Sequence, residues 1–216
     1  MKKILVLAGP SAVGKTTLAK YILENSDTFL YARSATTRAP RGDGHDSEYV
    51  YLSKDEFVNA AEAGDMLEYT EYAGNLYGTR KSEIDEICAA DKAPLLVLDL
   101  EGVDSIKKSE EYKSFTVYLY EDPNVLEERL YARYLGAEPT VEGLERFVQR
   151  KERNIAELTE IDRISERFDA VVKNDELDRA MAEIIQLYTG KIVSDKSSAV
   201  LEIKTLLNDK LSKMKR

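Results

Sequence analysis

Short apolar runs alternate along this chain with longer stretches whose apolar positions recur at helical spacing. That is the pattern of a parallel sheet whose strands are joined by crossover helices. Lys3–Ala8, Leu95–Asp99, Phe115–Tyr120 and Ala170–Val172 are predicted strands; Lys15–Glu24, Pro123–Leu135, Val141–Leu158 and Glu176–Tyr188 are predicted helices. Asp122-Pro123 supplies an N-cap residue followed by a proline at the first helical position, and Gly190 a helix stop. Between Phe29 and Tyr77 the pattern changes. Glu48–Leu52 alternates like a half-buried strand, and Ser53–Glu56 is a capping box opening a helix through Ala63. Met66–Tyr72 is again strand-like, and Ala73-Gly74-Asn75 predicts a turn. The expectation is an α/β fold with a region carrying its own small sheet inserted after the first helix.

Composition narrows the chemistry. With 216 residues, 43% apolar and 33% charged, the chain has enough apolar material for a core, and no apolar run long enough to span a bilayer. A net charge of −9 argues against a broad grip on nucleic acid. A single cysteine, Cys88, closes off an internal disulfide, and a single histidine, His45, leaves no His-pair metal site. Met1-Lys2-Lys3 before Ile4–Ala8 imitates a secretory signal, but the apolar stretch is short, Gly9-Pro10 breaks it, and a charged helical segment follows; a cytoplasmic address is expected. Residues 190–216 depart from the rest with seven basic against three acidic residues. Leu201, Leu206, Leu207, Leu211 and Met214 recur there at roughly helical spacing with lysines between them, which predicts a basic amphipathic helix packing on its own domain or on a twin subunit. Contact with a membrane surface or nucleic acid is the sharper alternative, weakly supported by one short basic helix on an acidic body.

Gly9-Pro10-Ser11-Ala12-Val13-Gly14-Lys15-Thr16 satisfies G-x-x-x-x-G-K-[ST] between a predicted strand and a predicted helix, with Thr17 next in line. Glycines let successive backbone N–H groups turn inward as a nest for phosphate oxygens, and the helix N-terminus adds partial positive charge. Lys15 would reach the β- and γ-phosphates, and the Thr16 hydroxyl would face a Mg²⁺ carried with the nucleotide. The segment is expected to bind a nucleoside triphosphate. A second cluster, Ser34-Ala35-Thr36-Thr37-Arg38-Ala39-Pro40-Arg41, sets two guanidinium groups around a rigid proline, an arrangement suited to a phosphate dianion. Tyr49, Glu68 and Gly74-Asn75-Leu76-Tyr77-Gly78-Thr79 follow.

In these motifs, in this order and at near-family spacing, the sequence resembles the guanylate kinases, which move a phosphoryl group from ATP to GMP. The resemblance runs over roughly residues 1–188, strongly to Gly102 and loosely after it. It implies that Arg38, Arg41, Tyr49 and Tyr77 hold the GMP phosphate and that Ser34, Glu68 and Thr79 read the guanine edge. The chemistry agrees, because guanine presents N1–H and N2–H₂ donors that one carboxylate accepts together, and adenine lacks that pair. Asp99, at the predicted end of a strand, matches the family's second aspartate, while Val97 stands at the first and Glu101 replaces the usual glutamine; Asp99 then serves Mg²⁺, the guanine pocket, or only as a helix cap. The resemblance further implies a helical lid whose arginines neutralise the transferring phosphoryl: Arg129 and Arg133, with Ala132 and Tyr134 where glycines are expected, and Arg150, with Arg146 close behind in spacing. Asn174-Asp175 resembles the loop beside the adenine. Ala12 replaces a glycine and is tolerable only if that position avoids positive φ. The loop 42–48 is one residue short of the family pattern.

Together these give a P-loop parallel sheet flanked by helices. The core is residues 1–32, 91–124 and 166–189, with a mixed α/β monophosphate-binding region at 33–90, a lid at 125–165 and a basic extension at 190–216. Lys15, Arg38, Arg129, Arg133 and Arg150 are the expected catalytic groups, ATP, GMP and Mg²⁺ the expected ligands, and a monomer or homodimer the expected state. A kinase of another small acceptor, or a phosphopeptide-binding module without catalysis, are the rival readings.

Overall fold

In the computed structural model the chain is described at residues 3–40, 49–72, 74–136 and 139–214, so Arg41 and His45 lie outside the described residues. The chain divides into two compact units, one of Met1–Leu7 and Ala19–Phe115, the other of Ala8–Leu18 and Thr116–Arg216.

In the first unit, β1 (Ile4–Ala8) and β2 (Phe29–Tyr31) both pair in parallel with β7 (Ala93–Val97), with Leu5 opposite Leu95 and Phe29 opposite Ala93. Every residue of β1 is buried, the burial expected of a parallel strand covered on both faces. The inserted region forms its own mixed sheet in the order β4 (Tyr49–Tyr51), β3 (Ser34–Thr36), β6 (Asn75–Arg80), β5 (Met66–Tyr72). β3 runs parallel to β4 and antiparallel to β6, and β5 antiparallel to β6. The predicted capping box is present: Glu56 N–H donates to the Ser53 hydroxyl, and Ser53 N–H to the Glu56 carboxylate, at the start of α2 (Lys54–Glu62). This helix puts Phe57 against Ala35 and Met66 as the core of the small sheet. Helices α3 (Lys81–Ala89) and α4 (Leu100–Lys107) complete the unit.

In the second unit β8 (Ser114–Tyr120) pairs in parallel with β9 (Ala170–Lys173). Around them lie α5 (Pro123–Leu135), α6 (Val141–Thr159), α7 (Ile161–Glu166), α8 (Leu177–Tyr188) and α9 (Lys196–Met214). Pro123 opens α5 as predicted, with the Asp122 carboxylate accepting from Asn124 N–H. Helix α1 (Lys15–Asn25) leaves this unit and continues into the first.

Three expectations are corrected. The strand expected over Leu95–Asp99 stops at Val97, because Asp99 turns to cap α4, its carboxylate accepting from Gly102 N–H at 2.9 Å. The buried face of the C-terminal helix agrees only in part: Leu207 is buried as expected, but Leu201 and Met214 are exposed, and Ala199, Ile203 and Lys210 are buried with it. Spacings of four, four and three residues track one face more closely than the leucines do. Finally, the sequence pattern does not predict β2, β3, β6, α3, α4 and α7; β2 and β3 are only three residues long.

Candidate active site

Two clefts gather the candidate residues, one inside each unit. In the second unit a cleft of about 640 Å³ is lined by Ser11, Ala12, Gly14, Lys15, Thr16, Thr17, Arg129, Arg133, Tyr134, Arg150, Asn174, Asp175 and Leu177. Gly9, Pro10 and Val13 are not part of the lining; they shape the loop beneath it. Gly9 has φ +144°, and a Cβ there would meet the Leu119 carbonyl oxygen at 2.3 Å. Gly14 has φ +95°, and a Cβ would meet Asn174 Nδ2 at 2.7 Å. Both positions therefore favour glycine by conformation, and at Gly9 the close backbone approach is a second reason. Ala12 sits at φ +66°, in the left-handed region that its tolerance was expected to exclude. Its small side chain bears the strain at a cost of about 1–2 kcal/mol. The neighbouring backbone is tied down, since Asn154 accepts from Ser11 N–H at 2.8 Å and donates back to the Ser11 carbonyl at 2.9 Å. Asn174 Nδ2 donates to the Val13 carbonyl at 2.8 Å, while its Oδ1 is buried without a partner.

Three of the four cations that line this cleft rest on the loop itself. Lys15 Nζ donates to the Gly9 and Pro10 carbonyls at 2.7 and 3.0 Å. Arg129 reaches the Ala12 and Val13 carbonyls at 3.4 Å and the buried Glu121 carboxylate at 3.5 Å. Arg150 reaches the Ser11 hydroxyl at 3.5 Å, and Arg133 lies over the Tyr134 ring. Arg146, by contrast, pairs with Glu142 on an exposed helix face and does not line the cleft. Thr16 and Asp175 also line the cleft, and the Asp175 carboxylate accepts from Arg179 and from Glu176 N–H. No group of three or more His, Cys, Asp or Glu able to hold a metal occurs among the described residues. This donor set suits a Mg²⁺ held chiefly by phosphate oxygens and water, with one or two protein oxygens, rather than a protein cage.

In the first unit a cleft of about 220 Å³ is lined by Ser34, Tyr49, Glu68, Thr70, Tyr77, Gly78, Val97, Leu98 and Asp99. Strand register explains the grouping. Tyr49 lies opposite Ser34, Ser34 opposite Thr79, and Thr79 opposite Glu68, so four strands contribute one row across the sheet. The next row on that face is Tyr51, Thr36, Tyr77 and Thr70. Glu68 is 6% exposed and Thr79 fully buried, and the Thr79 hydroxyl donates to Glu68 Oε1 at 2.7 Å. Thr79 thus stands behind Glu68 rather than on the lining. Burial pushes the Glu68 carboxyl up to about 7, with the Thr79 hydrogen bonds opposing and the nearby Asp99 charge reinforcing the rise. Asp99 therefore both caps α4 and lines this cleft. Val97 gives the cleft an apolar wall where an aspartate was expected.

Arg38 is held beside this row. Its guanidinium lies 4.9 Å from the Tyr49 ring centroid, and Tyr49 meets Tyr77 edge-on. Burial works against the Arg38 charge, but the Tyr51 hydroxyl and the Tyr77 and Tyr49 phenols outweigh it, and the pKa is raised. Its Nε is buried with no partner.

Sequence reasoning missed Asn154, Glu121 and the ion pairs of Glu127. Asn154 carried a readable signal, because it lies one turn before Leu158 on the buried stripe of α6. A polar residue on a buried stripe needs a partner.

The guanylate kinase family model matches residues 1–189. A guanylate kinase of Synechocystis is 33% identical over 186 residues, covering 86% of this chain and 92% of the relative. The Homo sapiens guanylate kinase is 35% identical over 193 residues, covering 87% and 93%. Among solved structures, that of guanylate kinase from Anaplasma phagocytophilum matches with a TM-score of 0.59 and 20% identity, over 90% of this chain and 88% of that one, a likeness of fold. No helix among the described residues is long and apolar enough to cross a membrane.

Proposed function

The chain belongs to the guanylate kinase family, and from that premise we propose that it transfers the γ-phosphoryl group of ATP, bound in the phosphate-loop cleft, to GMP, bound in the cleft of the small sheet, giving ADP and GDP. Residues 1–32, 91–124 and 166–189 serve as the core, 33–90 as the GMP region and 125–165 as the lid, with 190–216 appended. Nothing in the fold or the comparisons favours a different acceptor or a phosphopeptide module, and an intact Lys15 and Thr16 speak for catalysis.

The donor half works by positioning and charge. Loop N–H groups and the start of α1 receive the phosphates; Lys15, now resting on the Gly9 and Pro10 carbonyls, exchanges those acceptors for phosphate oxygens. Thr16 would hold a Mg²⁺ that comes with ATP, and the ion would supply neutralisation of phosphate charge. Arg129, Arg133 and Arg150 stabilise the negative charge spread over the transferring group. Asn174, lining the same cleft, borders the adenine side of the nucleotide in this reading. In the acceptor half Arg38, with Arg41, Tyr49 and Tyr77, holds the GMP phosphate, which is itself the nucleophile, so no side-chain base is needed. Glu68 accepts from guanine N1–H and N2–H₂, Ser34 and Asp99 complete the edge, and Thr79 acts on it through Glu68. We keep a cytoplasmic enzyme, monomeric or homodimeric, as part of this reading.

The observation that carries the guanine assignment is the buried Glu68 at the end of a row with Thr79 and Ser34. Facing adenine, the buried Glu68 would lose both guanine donors and keep only the Thr79 hydroxyl, a loss by which a site of this kind rejects the wrong base strongly. ADP release measured across GMP, dGMP, AMP, CMP and dTMP tests it. Turnover confined to the guanine nucleotides is expected, and comparable turnover of AMP overturns the assignment.

A further inference from the structure

We propose that α9, which lies outside the residues matched by the family model, is a positioning element of the phosphate-loop cleft, acting through Lys210 and Glu202 on the neighbours of the residues that line it. The inference rests on the reading that this cleft takes ATP.

Helix α9 packs against α5, α6, α7 and β9. Its buried face ends in Lys210, only 5% exposed, whose ammonium donates to Glu127 Oε2 and to Asn124 Oδ1 on α5. The other Glu127 oxygen accepts from Lys151 of α6 at 2.5 Å. One carboxylate is thus shared by ammonium groups from two further helices, and despite burial these hydrogen bonds hold Glu127 below the ordinary carboxylate range. Eight residues earlier, Glu202 accepts from the Tyr120 hydroxyl at 2.9 Å and from Lys173 Nζ at 2.6 Å, at the ends of β8 and β9.

Of the groups that α9 holds, directly or through Glu127, four stand within two residues of one that serves the cleft. Tyr120 precedes Glu121, which pairs with Arg129. Lys173 precedes Asn174, which lines the cleft and anchors the Val13 carbonyl. Lys151 follows Arg150 and lies three residues before Asn154, the clamp on Ser11. Glu127 is two residues before Arg129, and on a helix that spacing sets the two side chains on nearly opposite faces. The carboxylate therefore reaches α9 while the guanidinium reaches the loop. An apolar side chain at position 210 would cover the same stripe at less desolvation cost. A charge there fixes direction, orienting α5 and α6 about one carboxylate, and catalysis is steep in such placement.

The test uses full-length Lys210→Met and Glu202→Gln proteins, first shown to be folded by circular dichroism. In both, kcat and KM are measured separately for ATP and GMP, and the Kd for a non-hydrolysable ATP analogue is measured by calorimetry. Lys210→Met is expected to lower kcat/KM for ATP by about ten- to a hundredfold with the KM for GMP within about twofold of wild type. Glu202→Gln, whose side chain is half-exposed, is expected to lower it by about two- to fivefold in the same sense. The analogue Kd should rise in step. Unchanged ATP kinetics and analogue Kd in the folded variants overturn the proposal, as does a parallel rise in both KM values, the mark of general loosening. If Lys210→Met does not fold, the Glu202→Gln result decides. A wild-type protein inactive on GMP but binding the analogue would defeat the acceptor assignment alone, and the calorimetric comparison would still judge the role of α9.

Discussion

The two clefts are made of different material. The phosphate-loop cleft takes its floor from one continuous segment, Gly9 to Thr17, whose backbone is fixed by glycines at positive φ and by side-chain clamps from α6 and the loop after β9. The acceptor cleft has no such segment. Its row of Tyr49, Ser34, Thr79 and Glu68 exists only because four strands pair in one register, and a one-residue slip of any of them would turn its member to the other face. One site is therefore built from backbone and positive charge. The other is built from side chains, and pays in stability for a buried carboxylate.

The largest effect that would break this division is at Lys15. Lys15→Ala should lower kcat by about 10²–10³, as loss of a preorganised charge at a transferring group does, while the Kd for GMP stays within about twofold. Isothermal titration of the variant with GMP checks the second half. A GMP affinity that falls along with kcat would mean that the clefts do not have separate jobs.

That contrast also explains what could be read in advance. Burial on both faces made β1, β8 and β9 legible within a residue or two, and Ser53–Glu56 and Asp122-Pro123 announced their helices through local hydrogen-bonding chemistry. The phosphate loop was legible because its chemistry is contiguous. Of the acceptor cleft's sheet only β4 and β5 were legible from periodicity: β3 is three residues of mixed polarity, and β6 carries Tyr77, Gly78 and Thr79, which read as a motif and not as a strand. Only the resemblance brought Glu68 and Ser34 together. Asp99 resisted because one side chain does two things, capping α4 and lining the cleft. The Lys210–Glu127–Lys151 chain was hidden by assigning lysines to the solvated face, although Lys210 falls in step with Ala199, Ile203 and Leu207.

Glu68→Gln sharpens the comparison because its two effects have opposite sign. An amide cannot accept from both guanine donors without presenting its own donor group, so kcat/KM for GMP should fall by about 1–3 kcal/mol, while the affinity for an ATP analogue is unchanged. Stability moves the other way. The folded protein keeps the Glu68 proton up to about pH 7 against an ordinary value of 4.5, so its contribution is complete below pH 4.5 and is lost as pH rises through 7. At pH 8 the ionised carboxylate is buried at its full cost, which the neutral amide avoids. The variant should then be more stable than wild type by about 1–3 kcal/mol at pH 8, with the gain shrinking towards pH 5. Thermal melts at the two pH values measure it, and a gain of equal size at both would remove the carboxylate's ionisation as the cause.

The smallest effect expected lies in the phosphate loop, at Ala12. Its φ of +66° costs an L-residue about 1–2 kcal/mol, which glycine does not incur. Glycine gives part of this back, because its unfolded chain has more freedom to lose, by about 0.4–1 kcal/mol. Ala12→Gly should therefore stabilise the protein by about 0.5 kcal/mol, a shift of about 1–2 °C in Tm, with ATP kinetics within about twofold. The same exchange at Ala19, buried within helix α1, carries no strain to relieve and should destabilise by about 0.5–1 kcal/mol or more once the lost packing is added. One substitution with opposite signs at two positions isolates the backbone from every other difference between alanine and glycine. A destabilised Ala12→Gly protein would place residue 12 in the ordinary right-handed or extended region, and the loop would then be unstrained at the position where its sequence departs from the family.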